Sequence, residues 1–170
     1  MKVTFKDVGQ GDSIILEWMD ENKQKVGIID CNKKIKANPV LEHIRNAGYD
    51  EIEFVILSHP HADHFSGMNE LLSYFEERAI TVKKFGHTLH MLGTDFIKYL
   101  NWSEIDSASM IDLLNLIERI IGFRQKGVIK KMEYITENWV LKLSNEIELK
   151  CLCKLPQKLD SLKDDKVIKF

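Results

Sequence analysis

Residues 58–64 read Ser-His-Pro-His-Ala-Asp-His and directly follow the apolar run Phe54-Val55-Ile56-Leu57. The segment places three imidazoles and one carboxylate within six positions. Both side-chain types are ligands for zinc and similar divalent ions. Neighbouring side chains on a regular strand point to opposite faces, whereas a strand-to-loop transition lets them converge on one point. The segment therefore predicts a metal site at the end of a strand.

Two other interpretations of this cluster stay open at this stage. The histidines could be surface residues of a polar loop, or the cluster could hold a structural zinc ion. Structural zinc sites usually close four ligands around one ion and favour cysteine. The cluster contains no thiol and three of the six histidines of the chain, which favours a reactive metal site over both alternatives.

The composition indicates one domain without an evident charged partner. The chain has 170 residues, of which 44% are hydrophobic, and a formal net charge of −2 from 24 basic and 26 acidic residues. This length suits one compact core, and the charge gives no general case for binding nucleic acid or membranes. No secretion signal or membrane span is visible, so we expect a cytoplasmic protein without membrane association. Three sparse cysteines fit reduced thiols better than a disulfide framework.

Hydrophobic periodicity predicts an alternation of strands and helices. One domain of the α/β class is expected over residues 1–156, followed by a charged tail over 157–170. A further prediction is that Cys151 and Cys153 continue one face of the last strand and serve packing. Strands are predicted over 2–8, 13–18, 26–31, 53–57, 82–87, 127–134, 139–143 and 147–155, and helices over 38–48, 68–78, 95–100 and 107–123.

The motif also resembles a known family. Residues 58–64 with Gly67 match the His-x-His-x-Asp-His signature of the metallo-β-lactamase superfamily. Residues 7–13, Asp-Val-Gly-Gln-Gly-Asp-Ser, and 28–31, Ile-Ile-Asp-Cys, resemble the branch that includes the ComEC competence domain. The resemblance covers roughly residues 1–70. It implies an αββα sandwich with a metal pair at the sheet edge, and hydrolysis that in this branch often acts on phosphodiesters or nucleic acids.

The resemblance also implies roles for individual residues. His59 and His61 would bind one ion, and Asp63 and His64 its neighbour, with His61 and Asp63 carrying the catalytic chemistry. The expected metal is zinc, as two ions if the site is completed, although manganese or iron suits the same ligands.

Two further aspartates are candidates for supporting roles. Asp30 would orient a ligand through hydrogen bonds, and Asp12 would lie near the mouth of the site. Both could instead be turn formers at strand ends, which is the ordinary use of aspartate in such positions.

The chain also departs from the family pattern. The later ligands of the family have no visible counterpart here, since only His87 and His90 follow residue 70. They come early for those ligands, and His43 falls within a predicted helix, where a structural role is expected. Asn32 stands where the family commonly has glycine. We expect the second half of the sandwich to be shortened or completed by another chain.

The leading hypothesis is a metal-dependent hydrolase of the metallo-β-lactamase fold, acting on a small-molecule or nucleic-acid phosphoester through a metal-bound hydroxide. The competing hypothesis is a truncated or degenerate subunit that binds metal weakly and serves an interaction role. An iron-using oxygenase or a thiolester hydrolase of the same superfamily would share the first motif. A partner chain or self-association could complete the fold.

Overall fold

The computed structural model describes residues 1–88 and 107–152, and for 107–110 the backbone alone. Within these ranges the chain forms eight strands and four helices. The strands are β1 (Lys2–Phe5), β2 (Ile14–Asp20), β3 (Lys23–Ile29), β4 (Glu51–Leu57), β5 (Thr81–His87), β6 (Ile129–Tyr134), β7 (Val140–Lys142) and β8 (Glu148–Lys150), and the helices are α1 (Pro39–Ala47), α2 (Ala62–Phe65), α3 (Met68–Glu77) and α4 (Ser107–Gln125).

Strands β1 to β6 form one mixed sheet in sequence order. The pairs β1–β2 and β2–β3 are antiparallel, whereas β3, β4, β5 and β6 run parallel to one another. Ile29 pairs with Ile56, and Leu57 pairs with His87. The carboxyl ends of β3, β4 and β5 therefore meet at one edge of the sheet. Ligand sites of open parallel sheets lie at this edge.

The two faces of the sheet are covered differently. Apolar residues of α1, α3 and α4 pack on one face together with Ile28, Val55 and Phe85. On the other face Trp18, Phe54 and Ile56 form a smaller cluster under the hairpin of β7 and β8. The Trp18 indole Nε1 donates to the carbonyl of Leu143 at 2.9 Å. The result is a layered arrangement of helices, sheet and hairpin.

A close contact between backbone and ring occurs in the middle of the hairpin-side face. Gly27 pairs with Phe54 in register, and the Phe54 ring lies directly over it. A Cβ on residue 27 would lie 2.7 Å from Cε2 of that ring and closer still to Cζ. Trp18 stacks on Phe54 at a centroid distance of 6.1 Å. Glycine is therefore required at position 27 by the ring above it.

A buried carboxylate joins β2 to the helix layer. Glu17 accepts hydrogen bonds from Lys2 at 2.8 Å and Tyr49 at 2.6 Å, and its Oε1 lies 3.2 Å from His43 Nε2. Burial alone raises the pKa of Glu17, but these three partners outweigh it and lower the pKa to about 2. Glu17 is therefore ionised at neutral pH, and the expectation that His43 is structural agrees with its position here.

The α/β class predicted from the sequence is confirmed, and the layers are consistent with the expected sandwich. Several predicted bounds were wrong. Strand β1 ends at Phe5 and not at residue 8, because its pairing with β2 stops at Phe5–Ile14, after which Lys6 donates only one backbone hydrogen bond to Ser13 at 2.9 Å. Strand β8 ends at Lys150, before the predicted strand 147–155 would reach Cys151. Residues 62–65 form a short helix where a loop was expected.

The predicted helix 95–100, Cys153 and the tail 157–170 lie outside the described residues. Cys151 lies just beyond β8 and not on its face, but it packs on the hairpin-side cluster, in agreement with the packing role predicted for it. None of the described helices is long and apolar enough to cross a membrane.

Candidate metal centre

The histidine-rich segment lies at the sheet edge where three parallel strands end. Asp30, Ser58 and Thr88 are the residues that directly follow β3, β4 and β5. The Ser58 amide donates to Asp30 Oδ1 at 2.8 Å, and the Thr88 hydroxyl donates to the Ser58 carbonyl at 2.7 Å. Polar side chains thus connect the three strand ends before the motif begins.

Asp30 is the centre of this connection. It is 2% exposed and has a left-handed backbone with φ 59°, a conformation that aspartate tolerates better than most residues. Its Oδ2 accepts from the Ser58 hydroxyl at 2.5 Å and lies 2.8 Å from Nδ1 of His64. A carboxylate at this distance favours the proton on Nδ1, which leaves the lone pair of Nε2 for a metal.

The four motif side chains lie close together. The ring centroid of His59 is 3.7 Å from that of His64 and 4.7 Å from that of His61. On the other side, His64 Nε2 lies 3.9 Å from Asp63 Oδ1. Ligand bonds of about 2.0–2.2 Å in tetrahedral geometry place two donors roughly 3.4 Å apart. The His64 and Asp63 donors are therefore slightly wider apart than a shared zinc ion requires.

The donor types in this cluster suit a metal ion, but their arrangement in this structure does not yet surround one. Its donors are imidazole and carboxylate, and one imidazole is oriented by a buried aspartate, as in many metal sites. Among residues 1–88 and 107–152, however, no group of three or more His, Cys, Asp or Glu side chains is arranged to hold one ion. The donors present suit a divalent cation, and their convergence on it requires rotation of the histidines.

His59 is held in the form that binds metal. Partial burial lowers its pKa below the usual value, and the neighbouring His64 and His61 rings lower it further. A neutral imidazole keeps a lone pair for coordination, whereas a protonated one does not. Metal binding at His59 would therefore need no costly proton release at neutral pH.

The turn between β1 and β2 packs against Asp63. A Cβ on Gly11 would lie 2.7 Å from Cβ of Asp63 and closer still to its carbonyl oxygen. Gly11 has φ 87°, so glycine is required there by conformation as well as by space. Asp12 itself is exposed. It is the backbone of Gly11 that packs against Asp63, a contact that the sequence did not reveal.

Asn32 connects the turn between β1 and β2 to the segment that follows the motif. Its Nδ2 donates to the Gln10 carbonyl at 2.6 Å, and its Oδ1 accepts from the hydroxyl of Ser66, two residues beyond His64. Its own amide donates to the Ser13 hydroxyl at 2.8 Å. Asn32 thus replaces the expected glycine and adds hydrogen bonds that glycine cannot make.

Asn38 fixes the far end of the motif. Its Oδ1 caps helix α1 by accepting from the Leu41 amide at 3.1 Å, while its Nδ2 donates to the Gly67 carbonyl at 3.0 Å. Cys31 is fully buried beside it, and its thiol donates to Asn38 Oδ1 at 3.4 Å. Burial raises the pKa of this thiol far above its usual value, so Cys31 is a packing residue and not a nucleophile.

The remaining candidate residues are two histidines that follow the motif, His87 and His90. His87 is buried at the end of β5, beside the end of β4, and its ring centroid lies 6.0 Å from that of Tyr134. It is thus at the correct edge of the sheet, in a packed position. His90 lies outside the described residues, and its expected role as ligand or substrate contact stays a prediction.

Comparison with known proteins agrees with the motif. Residues 19–126, more than half of the chain, match the family model of the metallo-beta-lactamase superfamily. No curated protein matches the chain. Domains of this superfamily are in general metal-dependent hydrolases, and its members commonly bind metal ions. The sheet, the position of the motif and the family match together show that the chain belongs to the metallo-β-lactamase superfamily.

Proposed function

We propose that this protein is a metal-dependent hydrolase that acts on a phosphoester or nucleic-acid-type substrate. One observation carries the proposal. Asp30 orients His64 so that its Nε2 faces Asp63, with the rings of His59 and His61 alongside. A buried carboxylate that fixes the tautomer of one histidine in a cluster of three serves little purpose in packing, but it is a common device at metal sites.

The residues that would hold the metal are His59, His61, Asp63 and His64. A bound divalent ion, with zinc the first choice, would supply an acidified water and stabilise charge on the substrate oxygen. The protein contributes the orientation. Asp30 sets the direction of His64, and Gly11 supports the backbone of Asp63. Because His61 is exposed, it stands where substrate can reach it, and with Asp63 it is the proposed catalytic pair.

The substrate class rests on the resemblance of residues 7–13 and 28–31 to the ComEC-containing branch. Phosphodiester hydrolysis suits an acidified water beside a cation, since the cation neutralises charge on the phosphoryl oxygens. The expected cofactor is zinc, and manganese or iron fits the same donors.

The experiment is metal analysis joined to a hydrolysis assay. Purified protein is stripped of metal, reloaded with zinc or manganese, and tested on a chromogenic phosphodiester. His61→Ala and Asp63→Ala should lose bound metal and activity together. Matched controls are Asp50→Ala, at an exposed aspartate, and His43→Gln, which removes an imidazole away from the site and keeps a donor for Glu17. A wild-type protein that binds almost no metal at micromolar concentration would refute the proposal.

A second candidate function is that of a subunit with weak metal binding and an interaction role. The observation in its favour is that the described part of the chain lacks three donors arranged around one point. In that case the motif would bind a metal ion tightly only with further ligands from a partner chain or a second copy of this chain. Mass measurement in solution, with and without zinc, separates the two functions. A monomer that binds zinc tightly and hydrolyses the diester excludes the second one.

A further inference from the structure

The connection between β3 and α1 forms a basic hairpin beside the candidate metal centre, and it has no role in the site described above. Lys34 and Ala37 exchange two backbone hydrogen bonds of 2.9 Å, which closes a tight turn with Ile35 and Lys36 at its tip. Lys33 directly precedes the turn. We call residues 33–37 the basic tip.

The basic tip is fixed to the motif at both of its ends. On one side the Lys33 amide donates to the Ser66 hydroxyl at 2.9 Å. On the other side Asn38 donates to the Gly67 carbonyl at 3.0 Å. Ser66 and Gly67 are the residues that follow Phe65 at the end of the motif helix α2. The tip therefore stands at the rim of the candidate metal centre and cannot move independently of it.

Ile35 at the tip is both exposed and strained. Its side chain is 93% exposed, and its backbone has φ 50°. This left-handed conformation is rare for β-branched residues, and asparagine or glycine would adopt it with less strain. Neither the exposure of this apolar side chain nor its strained backbone stabilises the fold. Such strain is typical of positions that contact a ligand.

The charged side chains of the tip are all lysines, and two of them form exposed ion pairs. Lys33 forms an exposed pair with Glu70 at 3.3 Å, and Lys34 pairs with the exposed carboxylate of Asp7. Among the described residues, no ion pair involves Lys36. Exposed pairs of this kind contribute little, so an incoming phosphate can replace the carboxylates. The tip thus carries three lysines next to one exposed apolar side chain, and two of the lysines are held by exposed carboxylates that a phosphate could replace.

We infer that the basic tip binds the backbone of a single-stranded nucleic acid, with the lysines on phosphates and Ile35 against a sugar or base. Lysines neutralise the phosphates of a single strand, and its unstacked bases expose faces that a side chain such as Ile35 can cover. A single exposed isoleucine is a weak anchor for a lipid surface, since stable membrane attachment takes more apolar area than one side chain. The inference rests on the proposed function only in that hydrolysis would occur at the candidate metal centre beside the tip. Binding of the nucleic acid to the tip itself requires no metal.

The test measures binding of a fluorescent single-stranded oligonucleotide to metal-free protein by anisotropy across a salt series. Changing Lys33, Lys34 and Lys36 to alanine should weaken binding by about tenfold or more, and should reduce the slope of log affinity against log salt by about 2. The matched control changes Lys23, Lys126 and Lys130 to alanine. These exposed lysines lie near the opposite edge of the sheet, and their loss should leave the slope nearly unchanged.

A second variant separates binding from folding. Ile35→Asn should raise the melting temperature, because asparagine relieves the strained backbone, and yet weaken oligonucleotide binding by about fivefold. Absence of binding by the wild type, equal losses in both triple variants, or unchanged binding by Ile35→Asn would each overturn the inference. So would tighter association with anionic vesicles than with the oligonucleotide. Oligonucleotide binding and hydrolysis of the small diester are measured in separate assays. A protein that fails to hydrolyse the diester can therefore still bind the oligonucleotide, and a protein that fails to bind the oligonucleotide can still hydrolyse the diester.

Discussion

Replacing Asp30 tests whether one carboxylate holds the candidate centre together. Asp30→Ala removes the acceptor for three hydrogen bonds, those of the Ser58 amide, the Ser58 hydroxyl and His64 Nδ1. The hydroxyl can turn to another partner, but the other two donors are left without one at a cost of about 1–3 kcal/mol each. Alanine at φ 59° adds about 1 kcal/mol. The expected loss in free energy of unfolding is about 3–7 kcal/mol.

Asp30→Asn separates the contributions. Asparagine tolerates the left-handed backbone and keeps an oxygen for the Ser58 amide, so only the charge-assisted interactions at Oδ2 are replaced by weaker ones. The expected loss is about 1–2 kcal/mol. Since about 1 kcal/mol lowers the melting temperature of a domain of this size by roughly 2–4 °C, the alanine variant should melt at least about 6 °C lower than wild type and the asparagine variant roughly 2–8 °C lower.

The assay is urea and thermal unfolding of metal-free protein, with nitrogen NMR of the histidine rings as a second readout. In Asp30→Asn the amide would donate to His64 Nδ1, and the ring proton should move to Nε2. The matched control is Asp50→Asn, an exposed carboxylate before β4, which should change stability by less than about 0.5 kcal/mol. The reasoning is refuted if Asp30→Ala is within about 1 kcal/mol of wild type, or if both Asp30 variants lose the same amount.

Two other changes test the packing and the buried charge described above. Because the pKa of Glu17 is lowered from 4.5 to about 2 in the folded protein, its ionised form stabilises the fold above about pH 4.5, and the stabilisation is lost as the pH falls toward 2. The stability gap between wild type and Glu17→Gln should therefore shrink by up to about 3 kcal/mol on acidification, and a gap independent of pH in urea unfolding would contradict this. Gly27→Ala should cost about 1–3 kcal/mol by forcing the new Cβ into the Phe54 ring. Calorimetry should show partial recovery in the double variant with Phe54→Leu, and equal stability of Gly27→Ala and wild type would show that the ring moves freely.

The sequence predicted the elements of the sheet and the position of the histidine-rich cluster well, because both depend on local signals. Strand β4 ends in the apolar run 54–57, and the motif follows it directly. Helix α1 has Asn38 as cap, Pro39 in the first turn and Gly48 at its end, where φ is 70°. These signals act within a few residues, so the pattern alone was sufficient.

The supporting residues of the site were harder to predict because they come from distant parts of the chain. Gly11, Asn32 and Thr88 contact the motif only after the strands have assembled. A glycine in a turn or an asparagine after a strand has the same local signature with or without such a contact. The resemblance indicates a supporting role for Asp30, but its contact with His64 joins residues 34 positions apart and forms only in the folded chain. The hairpin that covers Trp18 and Phe54 is likewise a long-range feature.

The side chain of Asn38 has a consequence for the dynamics of the molecule. One amide group caps α1 through its oxygen and holds the Gly67 carbonyl through its nitrogen. Fraying of the first turn of α1 and loosening of the segment after the motif are therefore coupled motions, since each breaks a bond made by the same group. Hydrogen exchange in the two segments should rise and fall together, and any ligand that orders the motif should protect amides on a helix that it never touches.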